Sequence, residues 1–472
     1  MSHKHYNRRD FMGLLGGGCA SMGLTTLLNG ITNMGLVSAA AAANTSPFSP
    51  PVGYRALVCI LLGGGNDSFN MLVPRGQSEY DEYRRVRGSM AIPQANLLPI
   101  NPVNSDGKEY GLNPSMPYVQ QLFESGDAAF VANVGTLVEP TTVAKFRDRS
   151  VERPRSLFSH SDQTDQWMTS VPQDKASLGW AGRMADILYT NNNNQNISMN
   201  LSLAGHNILQ QGRRVVPLTL DTGGNGTILL NGTGNTSFYE TLKRQTLDNL
   251  LDVTYQNILK QAYSDTVLGA FGSSIELSNA ISSGQAFNTP FVSNNGLTRQ
   301  LNVVAKTIAA RNVLDVNYQT FFVTMGGFDT HDGGIAGHAN RLRELNDGIN
   351  FFYEVLKELG MENNVTTFTI SDFGRKLVSN GNGTDHAWGG NALVFGGEVN
   401  GQRIYGRYPD MYAGNPQDLG GSQLIPTTST DEYFAELGLW FGASAADLDQ
   451  ILPNIRNFWT PTSTGRPLGI MS

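Results

Sequence analysis

Six aspartates and histidines in this chain are spaced in a way that suits a metal ion. Asp67, Asp329 and Asp372 each follow shortly after an apolar run, and His331 and His386 lie beside Asp329 and Asp385. Carboxylates gathered at one place raise one another's pKa and cost stability unless a cation sits among them. An all-oxygen set would favour calcium or magnesium, whereas carboxylate with imidazole suits zinc or an ion of similar softness. A third histidine, His160, lies between Ser159 and Ser161 in Leu157-Phe-Ser-His-Ser-Asp162. Either serine, at the start of a helix, is a candidate nucleophile, because a helix N-terminus and a nearby cation both favour a developing alkoxide. Ser161 with Asp162 suits an ordinary helix cap equally well.

The elements that must position these residues read as an α/β fold, a doubly wound and mostly parallel sheet flanked by helices. Arg55–Leu62 is an apolar run stopped by Gly63-Gly64-Gly65-Asn66-Asp67, the pattern of a strand buried on both faces. Similar signals recur at Ala128–Val134, at Thr320–Met325, at Thr366–Ser371 and at Ala392–Phe395. Between the runs at Thr320 and Thr366, residues 338–359 place Leu342, Leu345, Ile349, Phe352, Val355, Leu356 and Leu359 at helical spacing. Strand, helix and strand in that order make the unit of a parallel sheet, whose ligand crevice lies outside the carboxyl ends of its strands. Asp67, Asp329 and Asp372 all fall at such ends. Residues 237–285 form a helical insertion, preceded by Asn-, Gly- and Thr-rich surface loops at 191–196 and 223–237. The segment 432–452 reads as helices packing on the sheet, stopped by Pro453.

The 472 residues carry a net charge of -7, with 40% hydrophobic and 15% charged residues. That composition is of a folded protein, not a disordered one, and its acidity argues against nucleic-acid binding. Residues 1–43 read as an export signal: Arg8-Arg9-Asp10-Phe11-Met12 resembles the twin-arginine motif, and an apolar Gly-rich run and small residues follow. The twin-arginine pathway carries folded proteins, often with a metal or cofactor in place. Removing Lys4, Arg8, Arg9 and Asp10, a net +2, takes the chain from -7 to -9. Cys19 leaves with the signal, so Cys59 has no intramolecular disulfide partner. The run Phe11–Leu28 contains five glycines and makes a weak membrane anchor, so no stable anchor is expected and the mature chain, 44–472, is read as a single soluble domain in the periplasm or outside the cell.

Gly64-Gly65-Asn66-Asp67, Ser159-His160, Gly327-Phe328-Asp329-Thr330-His331, Ser371-Asp372-Phe373-Gly374-Arg375 and Gly383-Thr384-Asp385-His386 occur in this order. With the twin-arginine start, they make the whole chain resemble the exported proteins grouped as domain of unknown function 1501. The resemblance implies a branch of the alkaline phosphatase and sulfatase superfamily, hence a metal-dependent hydrolase fold. It implies that Asp67 and Asp372, with the nucleophile, hold one divalent ion, and that Asp329, His331 and His386, beside Asp385, hold another. His338 is an alternative to His331 on the wider spacing of alkaline phosphatases, and Phe373 stands where superfamily members usually have histidine. The C/S-x-P-x-R segment that sulfatases need for maturation is absent, which leaves a phosphate ester, a phosphonate or a related anionic ester. Arg375 is the candidate to grip such an anion through its planar fork, with a structural ion pair as the bland alternative.

Three functions follow as expectations. The first is an exported hydrolase of phosphate-type or sulfate-type esters, small or polymer-borne, using one or two divalent ions (zinc, or manganese or calcium) and meeting the twin-arginine translocase during export. The second is a catalytically silent metal-binding or assembly protein of the same fold. The third is a redox protein carrying an organic cofactor.

Overall fold

The alternation of small and large apolar residues along Arg55–Leu62 places Ala56, Val58, Ile60 and Leu62 in one hydrophobic core and Leu57 and Cys59 in another. A strand with no polar face is stable only at the middle of a sheet covered on both sides. That is its position in a computed structural model of the protein, which describes residues 53–104, 106–223, 238–251, 253–284, 286–461 and 465–472. Residues 1–43, read from the sequence as an export signal, and nearly all of the tract 223–237 lie outside the described residues.

The central sheet comprises β1 (Arg55–Leu62), β2 (Ala128–Gly135), β3 (Asn200–Ser202), β4 (Leu218–Thr219), β5 (Tyr318–Met325), β6 (Val365–Ser371), β7 (Gly390–Gly396), β8 (Arg403–Gly406) and β9 (Thr428–Ser429). Its hydrogen-bonded order is β8-β2-β7-β6-β1-β5-β3-β4, with β9 also paired to β2. Every pairing is parallel except those of β7, which runs antiparallel to both β2 and β6. The fold is thus α/β and mostly parallel, and the parallel reading of Ala392–Phe395 is corrected. Apolar composition reports burial on both faces, which a reversed strand in a covered sheet shares.

Helices cover both faces. Leu297, Leu301 and Val304 of Gly296–Ala309 and Leu342, Leu345, Ile349 and Leu356 of Gly334–Glu358 line the first core. Trp180 and Met184 of Trp180–Leu188 and Tyr433, Phe434, Leu437 and Trp440 of Thr430–Phe441 line the second. A capping box between Ser429 and Glu432 starts the last of these, and Leu448–Ile451 follows before Pro453. The chain divides into two compact units. The larger, 46–227 with 276–472, carries the sheet. The other includes 228–275, whose described part is the helix Phe238–Leu251 and most of the helix Ile258–Ser282. No helix among the described residues is long and apolar enough to cross a membrane.

Register decides what meets at the sheet edge. Leu62 stands opposite both Met325 and Ser371, so β1, β5 and β6 end level and their loops leave together. Because β7 is reversed, its first residue, Gly390, pairs with Val134 near the end of β2. The segment leading into β7 therefore arrives at the same edge. It is a hairpin, Arg375–Ser379 against Thr384–His386.

Candidate metal centre

Three loops and a hairpin converge here, and a buried arginine fastens them. Arg375 has no exposed side-chain surface. Its Nε donates to Gly65 O at 2.8 Å and its Nη1 to Thr384 O at 2.8 Å, while Nη2 donates to Gly64 O, to Phe328 O and to the Asp329 carboxylate. The loops after β1 and β5 are thus tied to the hairpin. Close approach also explains Gly64, which has φ +115° and whose added Cβ would sit against the Asp329 backbone. Its N–H donates to both oxygens of Asp372, each at 3.1 Å.

Three imidazoles surround Asp329, and the partners of their Nδ1 atoms orient each ring. A carbonyl oxygen only accepts, so His386 Nδ1, 2.9 Å from Phe158 O, is the protonated nitrogen, and Nε2 keeps its lone pair. His331 Nδ1 faces Asp385 Oδ1 at 3.3 Å, and His160 Nδ1 faces Asp372 Oδ2 at 2.7 Å, so both donate there and both present Nε2 inward. The Nε2 atoms stand 3.5 Å (His160), 3.3 Å (His331) and 3.4 Å (His386) from carboxylate oxygens of Asp329. A zinc ion with ligands at about 2.0 Å sets tetrahedral edges of about 3.3 Å. His331 Nε2 and His386 Nε2 are 2.7 Å apart. With both Nδ1 atoms turned to acceptors, the two Nε2 atoms meet face to face, a contact made favourable by a metal ion between them or by a proton on one of them. The donor set therefore fits a divalent ion, with imidazoles oriented from behind by two carboxylates and a carbonyl as metal-binding histidines commonly are. Among the described residues, His160, Asp329 and His386 form a group whose ligand atoms all lie within 4.8 Å of one another.

Local electrostatics agree. Burial pushes the Asp329 carboxyl upward, but the Arg375 guanidinium and the His160 and His331 imidazoles outweigh it and hold the group below the usual range. The Asp385 carboxyl is held low mainly by a hydrogen bond from Asn380, with Lys376 and His331 adding to it. Burial lowers the His386 pKa, which keeps its Nε2 lone pair free for a ligand. Asp329 remains 47% and His331 43% exposed, so the cluster opens to solvent.

Several residues fall elsewhere than the sequence suggested. Asp67 is fully buried in an ion pair with Arg87 and takes no part in the cluster. Asp372 and Asp385 stand behind histidines, orienting them. Arg375 is spent on internal acceptors and presents no fork to an anion. His338 is buried, its Nε2 2.9 Å from Asn66 Oδ1 and its pKa lowered to about 4 by burial. His160, read as a neighbour of the nucleophile, joins the ligand group. The cap of the helix His160–Thr169 is Ser159, not Ser161: its Oγ meets Asp162 N at 3.5 Å and donates to Asp162 Oδ2 at 2.7 Å. Ser161 Oγ lies 3.3 Å from Ser159 Oγ. Phe373 packs its ring against His160 and His386, with centroids at 4.7 and 4.4 Å. Two contributors had no signal in the sequence. One is the carbonyl of Phe158, aimed by a left-handed backbone at φ 70°; the other is Arg87, which reaches the carbonyls of Lys376 and Leu377 far along the chain.

The chain belongs to the family described as "Protein of unknown function (DUF1501)", which matches residues 54–452. No curated protein matches it in sequence. Among solved structures it is similar to the C-terminal periplasmic domain of EcEptC from Escherichia coli, 10% identical, covering 90% of this chain and 94% of that one, with a TM-score of 0.34. It is similar also to the lipoteichoic acid synthase LtaP from Listeria monocytogenes, 8% identical, covering 87% of this chain and 80% of that one, with a TM-score of 0.32. A third is the alkaline phosphatase from the Antarctic bacterium TAB5, 11% identical, covering 74% of this chain and 94% of that one, with a TM-score of 0.29. Likeness this distant carries no assignment of activity.

Proposed function

We propose, from the chain's own residues and its membership of that family, that it is an exported metal-dependent hydrolase of phosphate-type or sulfate-type esters. The observation that supports this most is the convergence of the Nε2 atoms of His160, His331 and His386 on the Asp329 carboxylate, in a cluster open to solvent. A divalent ion held by Asp329, His331, His386 and His160, zinc by the chemistry of the donor set, would polarise an ester oxygen and acidify a water. The protein's own part is orientation. Asp372, Asp385 and Phe158 O hold the three rings, Phe373 walls one side with an apolar face, and Arg375 keeps Asp329 ionised. Ser159 is the better placed serine, because its hydroxyl already donates to a carboxylate, that of Asp162, which can take up the proton as the oxygen attacks. Export through the twin-arginine pathway rests on Arg8-Arg9-Asp10-Phe11-Met12.

A second reading, a metal-binding protein without turnover, is favoured by one specific feature. The arginine expected to grip an anionic substrate is buried and fully engaged. Elemental analysis of the purified mature protein, with Asp329→Ala and His386→Ala beside wild type, followed by a screen of phosphate and sulfate esters, separates the readings. Metal in wild type, lost from both variants while the fold persists, with ester cleavage that follows the metal, is the expected result. Metal without any cleavage favours the second reading. A folded wild type that takes up no zinc, manganese or calcium sinks both.

A further inference from the structure

We infer that the centre takes a single divalent ion, and that the guanidinium of Arg87 serves as the permanent cation of Asp67 in place of a second one. This rests on the metal reading above and sharpens it. Of Asp67, Asp329, Asp372 and Asp385, only Asp329 fronts the imidazole Nε2 atoms. Asp372 spends both oxygens on Gly64 N–H and one of them also on His160 Nδ1, and Asp385 is engaged by Asn380, Lys376 and His331.

Asp67 is held differently. It and Arg87 have no exposed side-chain surface, and Arg87 Nη2 donates to Asp67 Oδ2. The rest of the guanidinium is engaged as well: Nε donates to Asn70 Oδ1 at 3.2 Å, and Nη1 to Lys376 O at 3.0 Å and Leu377 O at 3.2 Å. Arg87 is the last residue of the helix Gln77–Arg87, so the pairing ties that helix to the loop after β1 and to the hairpin that carries His386. The second oxygen, Asp67 Oδ1, is sealed from solvent and has no hydrogen-bond partner among the described residues. A divalent ion there would face a fixed positive charge at close range in a site of low dielectric, and would have to displace it. Asp67 contributes charge balance and position, not ligation. One ion also limits the chemistry: it can polarise one oxygen of an ester but cannot clamp the attacking and leaving oxygens together, as paired ions do.

The test counts zinc. Chelator-stripped protein is dialysed against zinc and analysed for zinc per chain, with thermal unfolding followed in parallel, for wild type, Asp67→Asn, Arg87→Met and the double variant. One zinc is expected in wild type, in Asp67→Asn and in the double variant. Arg87→Met leaves a buried unpaired carboxylate and lowers the midpoint by about 3–6 °C, most of which the double variant restores. Two zinc ions in wild type, or the loss of a whole equivalent in a folded Asp67→Asn or double variant, would overturn the inference and leave the metal reading standing. No zinc in wild type would sink the metal reading and this inference with it.

Discussion

Replacing Arg375 with methionine removes the group that holds the site together while keeping much of the apolar stem. Five acceptors lose their donor: the carbonyls of Gly64, Gly65, Phe328 and Thr384 and the carboxylate of Asp329. The Asp329 share is discounted, because that side chain is 47% exposed and water takes over the lost partner. The bonds to Gly65, Phe328 and Thr384 are buried, and each buried acceptor left unsatisfied costs about 1–3 kcal/mol. Allowing for some entry of water, the loss is roughly 4–6 kcal/mol. With an unfolding entropy near 2.1 cal/mol/K per residue, a chain of this size loses about 4–7 °C in midpoint. The second effect is on metal. The loop bearing Asp329 and the hairpin bearing His386 are no longer tied, and loss of such a support commonly weakens metal affinity about 10–100-fold. Calorimetric melting and competition against a zinc-binding dye read the two effects separately. Arg375→Lys, which can meet only some of these acceptors, should fall between. An Arg375→Met protein that melts within about 1 °C of wild type and binds zinc equally well would refute the reasoning.

A second expectation concerns Asp431, where burial raises the carboxyl from 3.8 to about 7, against smaller opposing effects of the Ser170 hydroxyl and Arg183. Its folded form keeps a proton that the unfolded chain releases, so this stability is fully present below about pH 4 and is lost as pH rises to about 7. The full effect is about 4 kcal/mol at 1.36 kcal/mol per pKa unit. Asp431→Asn should therefore be more resistant to urea than wild type at pH 8 and little different at pH 4, and equal midpoints at both pH values would contradict this. Gly64→Ala places a methyl against the Asp329 backbone at φ +115°. It should lower soluble yield and metal content together by severalfold, whereas Gly126→Ala, at φ +85° with open space around it, carries backbone strain alone and keeps its metal. A Gly64→Ala protein with wild-type metal content would show that the close approach is not needed.

Much of the fold was legible in the residues. Runs such as Arg55–Leu62 and Thr320–Met325 are short, apolar on both faces and end in glycines, and their length and flanking glycines select a covered strand over a buried helix. The heptad-like positions between Leu342 and Leu356 likewise specify a helix that packs on one side. The glycines and aspartates at the strand ends marked where chemistry would gather, because a parallel sheet has one functional edge. Composition could not show that Gly390–Gly396 runs backwards, and that reversal delivers His386 to the edge. Burial on two faces is compatible with either direction.

Tertiary structure alone sorted the aspartates. The sequence determined that Asp67, Asp329 and Asp372 would reach the same rim, since each follows a strand, whereas Asp385 arrives there through the hairpin before the reversed strand. Their roles depend on what approaches from elsewhere: Arg87 neutralises Asp67, His160 engages Asp372, His331 engages Asp385, and Asp329 is left to face the lone pairs. These partners lie up to 212 residues away along the chain, as for His160 and Asp372. Local spacing carries no information about such encounters, because the sum of short-range preferences fixes elements and leaves open which charged side chain the packed elements bring to each carboxylate.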